Sequence, residues 1–351
     1  MAFRGFSRCW CGAAPAMIVA VAAAVFVGSA AVAAMPNCTN PISFCPCRIT
    51  TAGETYTIAP ADQNLLTNGG SGCIRIAAPD VTLDLGSATI TSSVSSSDSI
   101  GIHVNWKGRD AVVEGAAGAP AIIQHFGTGI QVDAHGVTLR NLVAQSNAVG
   151  ILIDGSAAYG SALSAAGNTH IGILIKGHGA GPFLDGVSVT DNIGPGLKLG
   201  GVQGAFIANL TATANATYGV WLRASSRNVI ANFSASQNTI AGVYLGCLRS
   251  GGLLSGTCHS YRPIPPSNGN IIAGLADPSS VDGPIQPAQE YGVVIGAGNH
   301  GNRVVGVAGS GNGTGTNGAD AADYNSNCQG NLWEDNQFAT TIPSGPDSCI
   351  Q

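Results

Sequence analysis

The sequence predicts an all-β solenoid, a parallel β-helix with coils of about 22 residues. Three observations carry that expectation: a recurring tetrad, an asparagine ahead of most of its copies, and a packed but helix-poor composition. The tetrads are Gly101-Ile102-His103-Val104, Gly129-Ile130-Gln131-Val132, Gly150-Ile151-Leu152-Ile153, Gly172-Ile173-Leu174-Ile175, Gly196-Leu197-Lys198-Leu199, Gly219-Val220-Trp221-Leu222 and Gly242-Val243-Tyr244-Leu245. They follow one another at 28, 21, 22, 24, 23 and 23 residues, the period of a stack of equivalent units. Asn147, Asn168, Asn192, Asn215 and Asn238 stand three or four residues before their glycines, where stacked amides would bond along the axis. Asparagine also tolerates the left-handed backbone of a tight turn.

Composition sets the limits. With 50 Gly, 45% hydrophobic and 9% charged residues, the 351-residue chain is too apolar for disorder. Gly, Val, Ile, Thr, Ser and Asn abound, which favours short strands and turns over helices. Repeat architectures run long as one unit, so a single elongated domain is expected.

Taken in order, residues 1–34 read as a signal peptide: Arg4 and Arg8 precede an apolar run that ends at the small residues Ala31-Val32-Ala33. Its removal leaves no membrane span and makes the destination secreted or periplasmic. Losing two arginines takes the formal charge from −5 to −7, a surface that excludes nucleic acid as a partner. Residues 35–100 form an N-terminal cap and leading coils, 101–310 the β-helix with a Pro-rich loop insertion at 247–290, and 311–351 a cysteine-bracketed C-terminal cap. Once Cys9 and Cys11 leave with the leader, eight cysteines remain, an even set that reads as disulfides in an exported chain. Cys247 with Cys258 and Cys328 with Cys349 are the expected local pairs, whereas pairing among Cys38, Cys45, Cys47 and Cys73 stays open.

Between tetrads, "HGVTLRNLVAQSN" (135–147), "FLDGVSVTDN" (183–192) and "AFIANLTATAN" (205–215) alternate apolar and polar residues as half-buried strands do. Leucine-rich repeats need a Leu-x-x-Leu-x-Leu frame, which is absent. Through its Asn-x(2,3)-Gly-Ile/Val-x-Val/Leu repeat over about 73–310, the chain resembles the right-handed parallel β-helix proteins of the pectin-lyase-like superfamily, particularly secreted proteins with NosD-like repeats. The resemblance implies a right-handed solenoid and is nearly silent on activity.

Function is therefore read from the outward positions. In Gly-Ile-x-Val-x the Ile and Val enter the core, leaving the third and fifth positions to solvent. Asp133, Asp154 and Lys176 should form a row, with Arg223 further on, while Trp221 and Tyr244 add an aromatic platform for sugar rings. Burial of that platform beneath loop 247–290 is the competing expectation.

A polysaccharide, acidic by its match to the basic side chains, is the expected partner. Within the resembled superfamily, polygalacturonases place paired Asp residues, His-Gly and Arg-Ile-Lys on this face. Here "GILIKG" (172–177) has Leu174 where Arg would stand, and the chain contains no Asp-Asp pair. A lyase or epimerase scheme suits the residues better: Asp133 and Asp154 as metal ligands holding Ca²⁺ against a uronate carboxylate, Lys176 or Lys198 as catalytic base, and Trp221, Arg223 and Tyr244 as substrate-binding groups. The base must have a lowered pKa. The rival class is a non-catalytic structural or adhesion module of the cell envelope. Metal delivery, a third reading, lacks a Cys/His cluster in the repeats.

Overall fold

The computed structural model describes residues 35–350 except 60–63, 68–71, 94–95, 178, 247–264, 275–288, 314–317 and 345–347. The predicted signal peptide, the Cys247–Cys258 pair and most of loop 247–290 lie outside these residues.

Each tetrad sits in a short strand, the fifth with its glycine just ahead of it: Ile100–Val104, Thr128–Val132, Val149–Ile153, Ile171–Lys176, Leu197–Gly200, Tyr218–Arg223 and Ala241–Leu245. All seven are consecutive, parallel neighbours in one 12-stranded sheet. Cys47–Ile49 and Ile74–Ile76 extend that sheet at one end, and Tyr291–Ile295, Ala319–Asp323 and Thr341–Ile342 at the other. Register is strict, Ile130 opposite Ile151 and Ile151 opposite Ile173. The repeat therefore puts like on like, and a one-residue slip would expose the whole inner row. Ile102, Ile130, Ile151, Ile173, Leu197, Val220 and Val243 are fully buried, which is the inward assignment the sequence predicts.

A second, 14-stranded parallel sheet forms the other wall of the core. In mid-solenoid it is built from eight-residue strands, Thr138–Gln145, Tyr159–Ala166, Phe183–Thr190, Phe206–Thr213 and Val229–Ser236. Each bends at its fourth residue, Asn141, Ala162, Gly186, Asn209 or Asn232, which has φ between 47° and 65°. That left-handed residue turns the chain through the corner, so each coil consists of one straight strand and one bent one.

The five predicted asparagines stack in a single buried turn. Asn168, Asn192, Asn215 and Asn238 donate in series, each Nδ2 to the next Oδ1 at 2.9 Å, the last to Gln289 Oε1 at 3.0 Å. Asn147 joins through its backbone N–H, 3.0 Å from Asn168 Oδ1. The tetrad glycine follows from this packing. A Cβ on Gly172 would lie 2.5 Å from the Gly196 carbonyl oxygen and 2.8 Å from Asn192 Nδ2. A second ladder runs from Asn228 through Asn270 and Asn302 to Asn331, which donates to the buried Asp323.

Cys328 pairs with Cys349 as expected, and the four N-terminal cysteines pair as Cys38–Cys47 and Cys45–Cys73. No described helix is long and apolar enough to cross a membrane.

Candidate functional site

The outward face of the 12-stranded sheet carries two parallel rows. Third tetrad positions align as Arg75, His103, Gln131, Leu152, Leu174, Lys198, Trp221 and Tyr244, each in register with the next. Fifth positions place Asp133, Asp154, Lys176 and Arg223 alongside. Neighbouring coils stand about 4.8 Å apart, so both rows run along the solenoid axis.

Asp133 does not stand alone. His103 Nε2 lies 2.7 Å from its Oδ2, and Gln131 Nε2 donates to Oδ1 at 2.9 Å and Oδ2 at 3.1 Å. Both carboxylate oxygens are thus engaged, and the imidazole is oriented by a carboxylate from the next coil. Sequence reading missed this pair because it is diagonal, a third position on one coil meeting a fifth position on the next. Beyond the strand end, Trp106 is 71% exposed, with Lys107 Nζ 5.0 Å from its ring centre.

In mid-face, Lys176 Nζ reaches Asp154 Oδ2 at 3.4 Å. Leu152 and Leu174 lie beside this ion pair, half-buried. Further along, Lys198 Nζ sits 4.2 Å from the Trp221 ring centre. Burial, helped by the nearby positive charge of Arg223, holds the Lys198 ammonium below the usual lysine range.

The aromatic platform needs correction. Trp221 is 6% exposed and Tyr244 2%, so neither offers a ring face to solvent. Tyr244 stacks on Tyr218 at 5.0 Å, and Trp221 Nε1 donates to the Gly246 carbonyl at 2.8 Å. With Tyr291, Val294, Ala319 and Ala322 they form a second apolar cluster outside the main core. The outward positions of the last coils are apolar, so burying them together removes far more surface from water than a lone Trp would. Burial pushes the Tyr244 hydroxyl up to about 12. Arg223 remains partly exposed at the edge of this cluster.

Metal binding by Asp133 and Asp154 finds no supporting arrangement. Among the described residues no three His, Cys, Asp or Glu side chains converge as a metal cluster. Each of these carboxylates faces a cationic or amide donor instead, so no chemical step is routed through Ca²⁺.

Besides Trp106, the exposed aromatics among the described residues lie on the other sheet. Tyr159, Phe183 and Phe206 stack in series on the outside of the 14-stranded sheet, at 5.5 and 5.2 Å. Their faces cover one another, leaving mainly edges to solvent. Like side chains on successive coils were the available signal, hidden because the tetrads drew the comparison to the other sheet.

Residues 128–258 match the family model for the right handed beta helix region. The fold is similar to that of the mannuronan C-5 epimerase AlgE6 A-module of Azotobacter vinelandii, with 14% identity, TM-score 0.53 and 87% of each chain covered. It is also similar to the Dettilon tailspike protein, with 13% identity, TM-score 0.50 and 82% of this chain covered. The chain spans 60% of the tailspike's length. No curated protein matches it. At these identities the likeness is one of fold, and the fold is a right-handed parallel β-helix.

Proposed function

We propose that this right-handed parallel β-helix is an exported protein that binds an acidic polysaccharide along the outward face of its 12-stranded sheet. The observation that carries this reading is the in-register pair of rows, which sets Arg75, His103, Lys176, Lys198 and Arg223 along one face of a chain with only 9% charged residues. An extended polymer lying along the axis meets a new coil every step and accumulates many weak contacts. Cations spaced along it pair with carboxylates, and Gln131 and Asp133 accept or donate to hydroxyls. The epimerase of the same fold is named for mannuronan, itself an acidic polysaccharide. The three disulfides among the described residues accord with export to an oxidising compartment, secreted or periplasmic.

The lowered pKa of Lys198 favours a second reading, in which the bound polymer is also processed. The step requires the unprotonated form of Lys198 to take the C5 proton beside a uronate carboxylate as the C4–O bond breaks, the leaving sugar oxygen departing and a C4=C5 double bond forming, while Arg223 pairs with that carboxylate as negative charge develops on it.

Affinity electrophoresis or calorimetry against acidic and neutral polysaccharides tests the first reading. An acidic polymer should bind, and Arg223→Gln should weaken it; preference for neutral polymers would overturn the assignment. Products absorbing in the ultraviolet, lost in Lys198→Met, would establish the second. Stable binding with no product from any bound polymer would leave an adhesion module.

A further inference from the structure

Trp106 is the most exposed large apolar side chain among the described residues, whereas Trp221 and Trp333 are buried. It stands on the turn that closes the strand Ile100–Val104. The Gly108 N–H donates to the Asn105 carbonyl at 2.8 Å and the Lys107 N–H to Asn105 Oδ1 at 2.9 Å, with Asn105 itself buried. A Cβ on Gly108 would fall 2.7 Å from Val104 Cγ1, so the turn packs closely on its own strand. The indole is thus held out to solvent by a hydrogen-bonded turn. Lys107 Nζ lies over one ring face, 5.0 Å from its centre, and the other face is open.

This turn adjoins the polar group already described on the outward face. The Asp133 N–H donates at 2.8 Å to the carbonyl of Val104, two residues before Trp106, and the Asp133 carboxylate engages His103 Nε2 and Gln131 Nε2. Arg75, exposed, lies opposite His103 on the preceding coil. Each carboxylate oxygen keeps a further lone pair, and Gln131 Oε1 and His103 Nδ1 are left for a ligand. Lys107 and Arg109 beside the indole are charged and exposed, so Trp106 is not the tip of an apolar docking patch.

One open indole face, a carboxylate, an amide, an imidazole and an ammonium on neighbouring coils answer to the parts of a single uronic acid residue: an apolar C–H face, ring hydroxyls and a carboxylate. We infer that Trp106 is the stacking platform of a uronosyl subsite, in which Lys107 pairs with the sugar carboxylate and the Asp133, Gln131 and His103 side chains take its hydroxyls. This rests on the polysaccharide reading above and names the sugar residue and the side chains that select it. The Lys107 ammonium keeps its N–H donors while its charge rests on the ring, so stacking and carboxylate pairing are made together. The aromatic platform expected at Trp221 and Tyr244 is supplied instead near the other end of the same row.

Fluorescence titration with short oligomers of mannuronate, guluronate, galacturonate and glucuronate reads this site directly, with Trp106→Phe as the baseline that isolates the Trp106 signal and calorimetry to establish saturation. At least one oligouronate should move the wild-type emission to shorter wavelength and shield it from acrylamide. Trp106→Ala should weaken that oligomer about tenfold, the loss expected of an aromatic anchor, while Trp106→Tyr, which keeps a ring face, retains most of the affinity. Lys107→Met should erase the preference for the oligouronate over its carboxyl-reduced form. Both side chains project from the surface, so thermal unfolding of these variants should match the wild type. Emission unchanged at saturation, or equal affinity in Trp106→Ala and wild type, would overturn this inference, and weakened binding of the same oligomer by Arg223→Gln would then leave the polysaccharide face standing. Absence of binding by all four, as oligomers and as polymers, overturns both.

Discussion

His103 and Asp133 meet across a coil boundary, imidazole Nε2 to carboxylate Oδ2 at 2.7 Å, with Gln131 closing the other side of the carboxylate. Their side chains are 20% and 31% exposed, so the pair is accessible rather than structural filling. Partly exposed pairs of this kind contribute about 1 kcal/mol or less to stability. His103→Gln should therefore leave the unfolding midpoint nearly unchanged while altering polymer affinity. Calorimetry beside a thermal melt checks this, and a large drop in the melt would assign the pair to folding instead.

Trp221→Ala should act mainly on stability. The indole is buried against Tyr218 and beneath Lys198, so truncation leaves a cavity and a Gly246 carbonyl without its donor. A loss of about 3–5 kcal/mol is expected in chemical denaturation. Retained stability together with weakened polymer binding would restore the exposed-platform expectation.

Asn192→Ala should be among the most damaging single changes. Its Oδ1 accepts from the backbone and side-chain amides of Asn168, and its Nδ2 donates to the Ala165 carbonyl and to Asn215. Each buried group left without a partner costs about 1–3 kcal/mol, so a loss above roughly 3 kcal/mol is expected. Urea unfolding measures it, and a shift of a few tenths would show that the ladder is ornamental.

Lys198 links stability to pH. Its folded pKa lies below 10.5, so between the two values the unfolded chain holds the extra proton. Unfolding then becomes harder as pH rises through that window, and the residue's unfavourable contribution is full only below the folded value. Thermal melts of wild type and Lys198→Met across alkaline pH should differ in slope, with the variant lacking this rise. Parallel curves would place the lysine in ordinary solvent.

Reduction should loosen the C-terminal end. The Cys328–Cys349 bridge spans 21 residues, a loop length for which cross-linking is worth about 3 kcal/mol. The Cys328→Ser/Cys349→Ser double variant should melt earlier than wild type under oxidising conditions and match its melt under reducing ones more closely.

The coils were legible because a solenoid repeats its contacts, so Ile151 opposite Ile173 in space is also Ile151 before Ile173 at fixed spacing in sequence. The second amide ladder was not. Its members are 42, 32 and 29 residues apart, because inserted residues stretch the coils that carry them. The outward rows could be placed, but not their solvent exposure. Trp221 and Tyr244 occupy the same positions as Gln131 and Leu152; what differs is the neighbours, Tyr218, Tyr291 and Val294, which gather into a cluster no single tetrad reveals. Lys198 could be named in sequence beside Lys176 as a candidate base, but its surroundings, the indole beneath it and Arg223 nearby, could not be read there.

The asparagine ladder has one further consequence, for inheritance. From Asn168 to Asn238 every side chain donates in the same direction, so each coil offers its successor the same donor and its predecessor the same acceptor. A coil duplicated or deleted as a whole leaves that exchange unbroken, whereas a partial insertion must be accommodated outside it. The outward face can therefore lengthen or shorten over evolutionary time in steps of one coil, about 4.8 Å each, without redesigning the core.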